Sequence, residues 1–212
     1  MSTDNLIAAI AAAGAARPPS IARRMAAALA IGGLISGVLF AYDLGVRPDI
    51  ASALQTWRFA TKMVIALAFL AVAVWATARL ARPDADGRTA LVILSVPVAM
   101  LALAVAGELA VSPASAWPAS AIGSNSRLCL ASIAVLSVAP LSALLPALRA
   151  GAPRSPAMAG AVAGLLAGSL AAFLYATHCV DDSPLFVALW YPPPVALAAL
   201  VGAAAGQRVL RW

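Results

Sequence analysis

The sequence predicts an all-α protein, a polytopic bundle of six transmembrane helices with both termini in the cytoplasm. Of its 212 residues, 63% are hydrophobic and only 10% are charged, whereas a soluble domain carries roughly a quarter charged residues. The apolar residues fall into six runs, each close to the ~20 residues that a helix needs to cross a bilayer. The arginines lie in the gaps between those runs, where membrane topology places them. Composition, run length and arginine placement therefore agree on a membrane bundle.

Residues 1–24 form a polar-leaning segment that we expect to be a separate cytoplasmic unit. Asp4 is a residue type that suits the start of a helix. Leu6, Ile7 and Ile10 follow at helical spacing, which predicts a short amphipathic helix. A pair of prolines should then end this helix.

The remaining residues, 25–212, form the predicted transmembrane domain. Its six spans are expected at residues 25–42, 59–80, 89–109, 128–148, 157–176 and 185–205. The first run continues into Tyr42 and Asp43 without a small-x-small site, so we do not expect a cleaved signal peptide. The segment Pro192–Pro194 falls inside the sixth run. Because proline lacks an N–H, that helix should kink or begin anew there.

The orientation follows from the lysines and arginines near the span ends, because short cytoplasmic loops carry an excess of positive charge. With the N-terminus inside, ten of the fourteen cations are cytoplasmic: Arg17, Arg23, Arg24, Arg79, Arg82, Arg88, Arg149, Arg154, Arg208 and Arg211. Only Arg47, Arg58, Lys62 and Arg127 face outward. Both cysteines, Cys129 and Cys179, then lie at the outer face.

Small residues four positions apart predict close approach of helix backbones inside lipid. The pattern occurs at Gly33 with Gly37, at Gly160 with Gly164 and Gly168, and at Gly202 with Gly206. We expect packing within the bundle, with a dimer interface as the alternative. The homo-oligomeric state stays open.

Few ionisable residues fall inside the spans, which argues against a transporter, a channel or an enzyme. Lys62 and Glu108 lie near outer span ends, where we expect anchoring or ion pairing, with Lys62 snorkelling outward. No hydrolase, metalloprotease or phosphate-binding motif occurs. The net charge of +6 does not point to nucleic acid, because no basic stretch is interleaved with aromatic residues.

Cys129 begins the fourth predicted span, and Cys179 follows the fifth. Both spans reach the same outer surface at these residues, which leaves three interpretations open. They can form a fixed disulfide staple, a redox-responsive pair, or a soft-metal site with His178, Asp181 and Asp182. The absence of a CxxC motif argues against a thiol-redox protein, although that class and a transporter remain the alternatives. No resident cofactor is expected, only transient binding of a heavy-metal ion.

Several segments together resemble the NrsF family. They are residues 1–9 (MSTDNLIAA), 47–49 (RPD), 149–153 (RAGAP), 211–212 (RW) and above all 178–191 (HCVDDSPLFVALWY). That family consists of bacterial six-helix membrane proteins that act as anti-sigma factors for extracytoplasmic-function (ECF) sigma factors of the sigma F type. The resemblance covers nearly the whole chain.

The resemblance implies a regulator and not an enzyme, located in the inner membrane among its lipids. In the family, two periplasmic cysteines are implicated in sensing metal and oxidant stress such as chromate or cadmium, and the matching positions are Cys129 and Cys179. The implied partner is an ECF sigma factor at the cytoplasmic face, released when the cysteines respond.

The N-terminal segment is too short to form a soluble anti-sigma domain of its own. We therefore expect its helix to dock on the sigma factor, with the alternative that it lies on the lipid surface. The residues expected to bind the sigma factor are Asp4, Leu6, Ile7, Ile10, Arg23 and Arg24.

Overall fold

The structure, a computed structural model, describes residues 2–13, 20–82 and 87–211, without the side chains of residues 10–13 and 91. Within those residues the regular structure is helical. The α-helices are α1 (Thr3–Ala13), α2 (Ile21–Asp43), α3 (Ile50–Ala53), α4 (Trp57–Leu80), α5 (Gly87–Val111), α6 (Trp117–Ile122), α7 (Ser126–Arg149), α8 (Pro156–Ala176), α9 (Pro184–Trp190) and α10 (Pro192–Val209).

Six helical segments are long and apolar enough to cross a membrane, as the sequence predicts. They are α2, α4, α5, α7, α8 and the pair α9–α10, and each predicted span falls inside one of them. Side chains at the starts explain the boundaries. Ser20, Thr56 and Ser155 each accept a hydrogen bond from the backbone N–H three residues on, which satisfies a donor that a helix start leaves unpaired.

Helix α8 lies at the centre of the bundle and packs against α4, α7 and α10. Its glycines make the contact with α10. A Cβ atom on Gly160 would lie 2.1 Å from the carbonyl oxygen of Gly202, and one on Gly164 would lie 2.1 Å from that of Ala198. The predicted close approach within the bundle is therefore confirmed for these two helices.

The same prediction is wrong for Gly33 and Gly37. A Cβ on Gly37 would meet nothing within 4 Å, and one on Gly33 would meet only the Leu170 side chain at 3.4 Å. Gly32 makes the close contact instead, because its Cβ would lie 2.5 Å from the Cα of Pro140 in α7. One turn later, the Ser36 hydroxyl donates to the Leu136 carbonyl at 2.7 Å. The small-residue stripe of α2 is thus Gly32 with Ser36.

The last span breaks at Tyr191, between α9 and α10, so the predicted interruption is confirmed. Pro192, Pro193 and Pro194 have no N–H. The carbonyls four residues earlier, in the range 188–190, consequently receive no helical hydrogen bond from them.

Because successive spans alternate in direction, the loops gather at two ends. We call the end that carries Cys129 and Cys179 the cysteine end. The opposite end brings together Ile21, Ala81 and Gly151: a Cβ on Gly151 would lie 2.2 Å from the Ala81 carbonyl oxygen and 3.3 Å from Ile21 Cδ1.

Candidate functional site

Two free thiols lie in one apolar cluster at the cysteine end. Cys129 is in the first turn of α7, and Cys179 is in the loop that follows α8. Both are 0% exposed. They share the cluster with Tyr175, Phe186 and Tyr191. The fold therefore brings together the two cysteines that the sequence singles out.

Each thiol is held by a weak hydrogen bond to a backbone carbonyl. Cys129 Sγ donates to the Trp190 oxygen at 3.8 Å, and Cys179 Sγ donates to the Asp181 oxygen at 3.8 Å. The Trp190 carbonyl is one of those that the proline run frees from helical bonding. The triple proline thus leaves an acceptor for Cys129, a role that sequence reasoning missed.

Burial raises the pKa of the Cys179 thiol, against an opposite effect of the nearby Lys62 ammonium. A thiol with a raised pKa stays protonated at neutral pH. Since the thiolate is the nucleophile and the metal ligand, Cys179 is poorly reactive in this packing.

Four charged residues bind the loop between α8 and α9, which carries Cys179 and which we call the cysteine loop, to two other segments. We call Arg47, Asp49, Lys62 and Asp182 the charged brace. Lys62, only 2% exposed in α4, donates to the Cys179 carbonyl at 2.8 Å and pairs with the Asp182 carboxylate.

Arg47, from the loop after α2, approaches the same two acceptors. Its Nη1 lies 3.3 Å from the Cys179 carbonyl oxygen and 2.9 Å from Asp182 Oδ2, and its Nε lies 2.7 Å from Asp49 Oδ1. The hydrogen bond to Asp49, followed by the interactions with Asp182, raises the pKa of Arg47 despite its burial. The pKa of Asp49 is lowered by the same contact. A buried cation is tolerated where carboxylate and carbonyl oxygens surround it in this way.

The structure shows how two ionisable residues are paired. Lys62 extends towards the cysteine end, as expected, but its ammonium is buried there: it pairs with Asp182 and lies 5.0 Å from the centre of the Phe59 ring. The ion pairing expected as the alternative is what occurs. Glu108 also pairs, with Arg58 at 2.9 Å. Sequence reasoning missed Arg47, although the RPD segment that contains it was part of the family resemblance.

Asp181 ties the cysteine loop to the start of α7. Its Oδ2 accepts hydrogen bonds from the backbone N–H of Ser124 at 3.1 Å and of Asn125 at 2.9 Å. Gly123 precedes them with a φ of +58°, and a Cβ there would lie 2.5 Å from Phe186 Cδ2. The tight turn before α7 consequently requires glycine.

The remaining member of the predicted metal set, His178, bonds through Nδ1 to the Gly45 carbonyl at 3.0 Å. His178 and Asp182 are therefore both engaged by the loop after α2, Asp182 also by α4, and Asp181 by the turn before α7. Within the described residues, no three His, Cys, Asp or Glu side chains are grouped as metal ligands.

The residues expected to bind a sigma factor lie far from the thiols along the chain. Leu6 and Ile7 of α1 are 48% and 59% exposed, and Asp4 is exposed in the first turn. Arg23 and Arg24 are exposed at the start of α2. The side chain of Ile10 lies outside the described part of the structure. Arg17, one of the cations predicted to be cytoplasmic, lies outside it as well.

Comparison with known proteins finds one family and two relatives that match nearly the whole chain. The model of the family described as "NrsF: Negative regulator of sigma F" matches residues 10–212. The "Anti-sigma-F factor NrsF" of Caulobacter vibrioides is 35% identical over 214 residues, with 100% of both chains covered. The "Probable anti-sigma-F factor NrsF" of Azospira oryzae has the same identity and coverage. No solved structure matches significantly. The resemblance is thereby confirmed, and the chain belongs to the NrsF family of negative regulators of sigma F.

Proposed function

We propose that the chain is a membrane-bound anti-sigma factor that holds an ECF sigma factor at the cytoplasmic face. It releases this partner when the periplasmic pair Cys129 and Cys179 responds to metal or oxidant stress. The names of two full-length relatives support the anti-sigma role. The observation that carries the sensing role is the pair of buried free thiols, one of which, Cys179, lies in a loop held by the charged brace.

The proposal places both termini in the cytoplasm and the cysteine end in the periplasm of a bacterial inner membrane. It is supported by the ten cations that this orientation puts inside. Residues 1–24 then form the cytoplasmic segment and residues 25–212 the transmembrane domain. The periplasm is an oxidising compartment, where a thiol pair can change its covalent state.

Because the buried, protonated thiol of Cys179 is poorly reactive in this packing, the loop that carries it must open before a stressor reacts. Two chemistries can then act on the pair. An oxidant such as chromate accepts two electrons, the thiols release two protons, and a Cys129–Cys179 disulfide forms. A thiophilic ion such as Cd²⁺ instead binds both sulfurs as thiolates and displaces two protons. Either change removes the thiol donors that bond to the Trp190 and Asp181 carbonyls. The two states of the pair therefore favour different packings of the cysteine loop, as a signal requires.

A contiguous packing path leads from the thiols to the cytoplasmic segment. Cys129 begins α7, and α7 contacts α2 through Gly32 and Pro140. The first turn of α2 carries the exposed Arg23 and Arg24, which are the last two residues of the segment 1–24. A shift of α7 changes the position of α2 because their backbones are too close to slide independently.

A release assay tests the sensing role. The full chain is co-expressed with the candidate sigma factor, and their association is followed by bacterial two-hybrid signal before and after cadmium or chromate. The double variant Cys129→Ser with Cys179→Ser should bind the sigma factor normally and fail to release it. Ser142→Ala, at an exposed position of α7, is the matched control and should release normally. Normal release by the double variant would make the cysteines structural.

Docking of α1 is tested separately in the unstressed state. Leu6→Asp with Ile7→Asp should abolish co-purification of the sigma factor, whereas Ala8→Asp, on the other side of the helix, should retain it. Full recovery of the sigma factor by the first variant, or by a chain lacking residues 2–16, would contradict docking and favour a helix that lies on lipid.

A further inference from the structure

An apolar groove of about 510 Å³ lies between α5, α8 and α10, at the end of the bundle opposite the cysteines. Alanines line it on all three helices, among them Ala90, Ala161 and Ala203. Along α8 the groove begins at Ser155 and ends at Leu165. Its walls are almost wholly apolar. We call this space the α5 groove.

The groove exists because α5 stands apart from the centre of the bundle. Helix α5 packs mainly against α4 and α9, whereas α8 and α10 meet through their backbones. Among the six candidate spans α5 has the smallest buried share, 12%, against 61% for α8. Because all three walls belong to candidate membrane spans, the groove faces lipid hydrocarbon and not water.

The dimensions of the groove favour a hydrocarbon chain over a helix. From Ser155 to Leu165, α8 rises about 15 Å, which is half of the ~30 Å hydrocarbon thickness of a bilayer and thus the depth of one leaflet. A helix of that length and about 10 Å across would fill roughly 1,200 Å³, more than twice the volume of the groove. The acyl chain of a phospholipid is as long as one leaflet is deep, carries no polar group and is narrower than a helix.

The starts of α5 and α8 meet at the open end of the groove, where a lipid head group would lie. A Cβ on Gly87, the first residue of α5, would lie 2.7 Å from Met158 Sδ in the first turn of α8. Gly87 and Ser155 both line the groove. Arg88 follows the one and Arg154 precedes the other, and both arginines are exposed. The fold therefore places cations next to the mouth of an apolar space.

The segments that flank the mouth are also positively charged overall. Residues 81–88 and 149–154 contain two aspartates against four arginines: Arg82, Arg88, Arg149 and Arg154. The aspartates, Asp84 and Asp86, lie outside the described residues. Basic pockets between transmembrane helices bind anionic lipid head groups in other membrane proteins. The net charge therefore favours an anionic over a neutral head group.

We propose that the α5 groove binds one anionic phospholipid, with an acyl chain against its alanines and the head-group phosphate at the exposed guanidinium of Arg154. Arg154 lies three residues after Gly151, whose contacts with Ala81 and Ile21 join this loop to α4 and α2. The lipid consequently stabilises the end of the bundle that the proposed function assigns to the sigma factor. This consequence rests on the proposed function, but lipid binding itself does not.

The test measures lipid adducts of the purified full chain by native mass spectrometry, during titration with phosphatidylglycerol or with phosphatidylcholine of the same acyl chains. The unaltered chain should bind one phosphatidylglycerol in preference to phosphatidylcholine. Ala161→Phe and Ala203→Phe fill the groove from two different helices and should each abolish the saturable adduct. Ala204→Phe, at an exposed position outside the groove lining, is the matched control and should bind phosphatidylglycerol like the unaltered chain.

Recognition of the head group is tested at an exposed side chain, whose loss leaves the helix packing intact. Arg154→Gln should lower the preference for phosphatidylglycerol about fivefold, the effect of one arginine near an anionic lipid. Arg24→Gln removes the same charge from the start of α2, which contributes no residue to the groove, and should keep the preference. Dihexanoyl phosphatidylglycerol has the same head group on short chains and should bind only weakly, because it cannot fill the groove.

The proposal is overturned if the unaltered chain binds the two lipids alike, or if both groove-filling variants retain the phosphatidylglycerol adduct. It is also overturned if the dihexanoyl lipid binds as tightly as the long-chain lipid, or if Arg154→Gln keeps the full preference. A dimer that Ala161→Phe dissociates and added lipid does not would overturn it in favour of a second copy of the chain. Sigma-factor binding and the cysteines enter none of these readouts, so failure here is distinct from failure of the proposed function.

Discussion

The two ends of the bundle are held together by different physical means. At the cysteine end, ion pairs and side-chain caps join loops that are distant in sequence, as when Arg47 and Lys62 meet Asp182. Towards the opposite end, α8 and α10 touch through backbone atoms at Gly160 and Gly202. Polar contacts can be rearranged by a change in charge or covalent state, whereas backbone contact cannot be rearranged without separating the helices. The difference indicates which end can respond to chemistry and which end provides a fixed frame.

The largest effect is expected from filling the glycine contact. Gly160→Val places a side chain where a Cβ already lies 2.1 Å from the Gly202 carbonyl oxygen. Overpacking of ordinary cores costs about 1–3 kcal/mol, and contact with backbone that cannot move aside should reach at least the upper part of that range. Loss of monodisperse protein in detergent, followed by size-exclusion fluorescence, checks this. At Gly37, none of the residues that the structure describes lies within 4 Å of an added Cβ, so Gly37→Ala should retain the folded yield. An equal loss in both variants would contradict the view that Gly160 lies in a fixed backbone contact.

Removing the carboxylate of the charged brace should have the next largest effect. Asp182→Ala leaves Lys62 and Arg47 buried without their shared partner, and breaking a fully buried pair costs roughly 3–5 kcal/mol. Asp182 retains 16% side-chain exposure, so we expect about 2 kcal/mol. The thermal midpoint of the purified chain measures it. A maleimide should also label Cys179 faster in this variant, because the loop loses its attachments.

Asp49 offers the comparison within the same network. It bonds to Arg47 but is 54% exposed, and exposed ion pairs contribute little to stability because solvent screens them. Asp49→Ala should therefore leave the thermal midpoint nearly unchanged and the Cys179 thiol protected. If it destabilised the chain as strongly as Asp182→Ala, the brace would not be centred on the cysteine loop.

Sequence patterns predicted the membrane spans and the helix contacts better than the contacts at the cysteine end. Hydropathy located the six spans because lipid imposes length and apolarity locally, on each helix separately. Spacing predicted close approach at Gly160 and at Gly202, without saying that the two meet, and chose the wrong pair in α2, since a repeat of four does not say which helix face meets a neighbour. The burial of the Lys62 ammonium depended on Asp182, 120 positions away in the chain. That pairing is set by the fold and leaves no local signal.

Two glycines at the cysteine end, Gly45 after α2 and Gly123 before α7, differ in what an added Cβ atom would meet. Gly123 and Gly45 both have positive φ, at +58° and +68°, but only Gly123 has a neighbour where a Cβ would go. Gly45→Ala should cost about 1 kcal/mol from backbone strain alone. Gly123→Ala should cost roughly 1 kcal/mol more, because its ψ of −166° is a conformation that essentially only glycine adopts and because the Cβ displaces Phe186 beside the Cys179 loop. Equal shifts of the two thermal midpoints would show that neither the Gly123 backbone nor Phe186 resists the added Cβ.

The smallest effect concerns pH, and its sign follows from the raised pKa of Cys179. The folded chain keeps this thiol protonated at pH values where the unfolded chain, with a thiol pKa of about 8.5, has lost the proton. Because the native state then binds more protons, stability is complete below pH 8.5 and falls as the pH rises above it. Between pH 8 and pH 9.5 the free energy of unfolding should therefore decline, because the unfolded chain loses this proton before the folded chain does. The thermal midpoint of Cys179→Ser, compared with that of the unaltered chain at both pH values, isolates the contribution. If the Cys179→Ser variant lost as much stability over this range, the buried thiol of Cys179 would not be the source of the pH dependence. The ion pairs would then be the groups at the cysteine end that respond to chemistry.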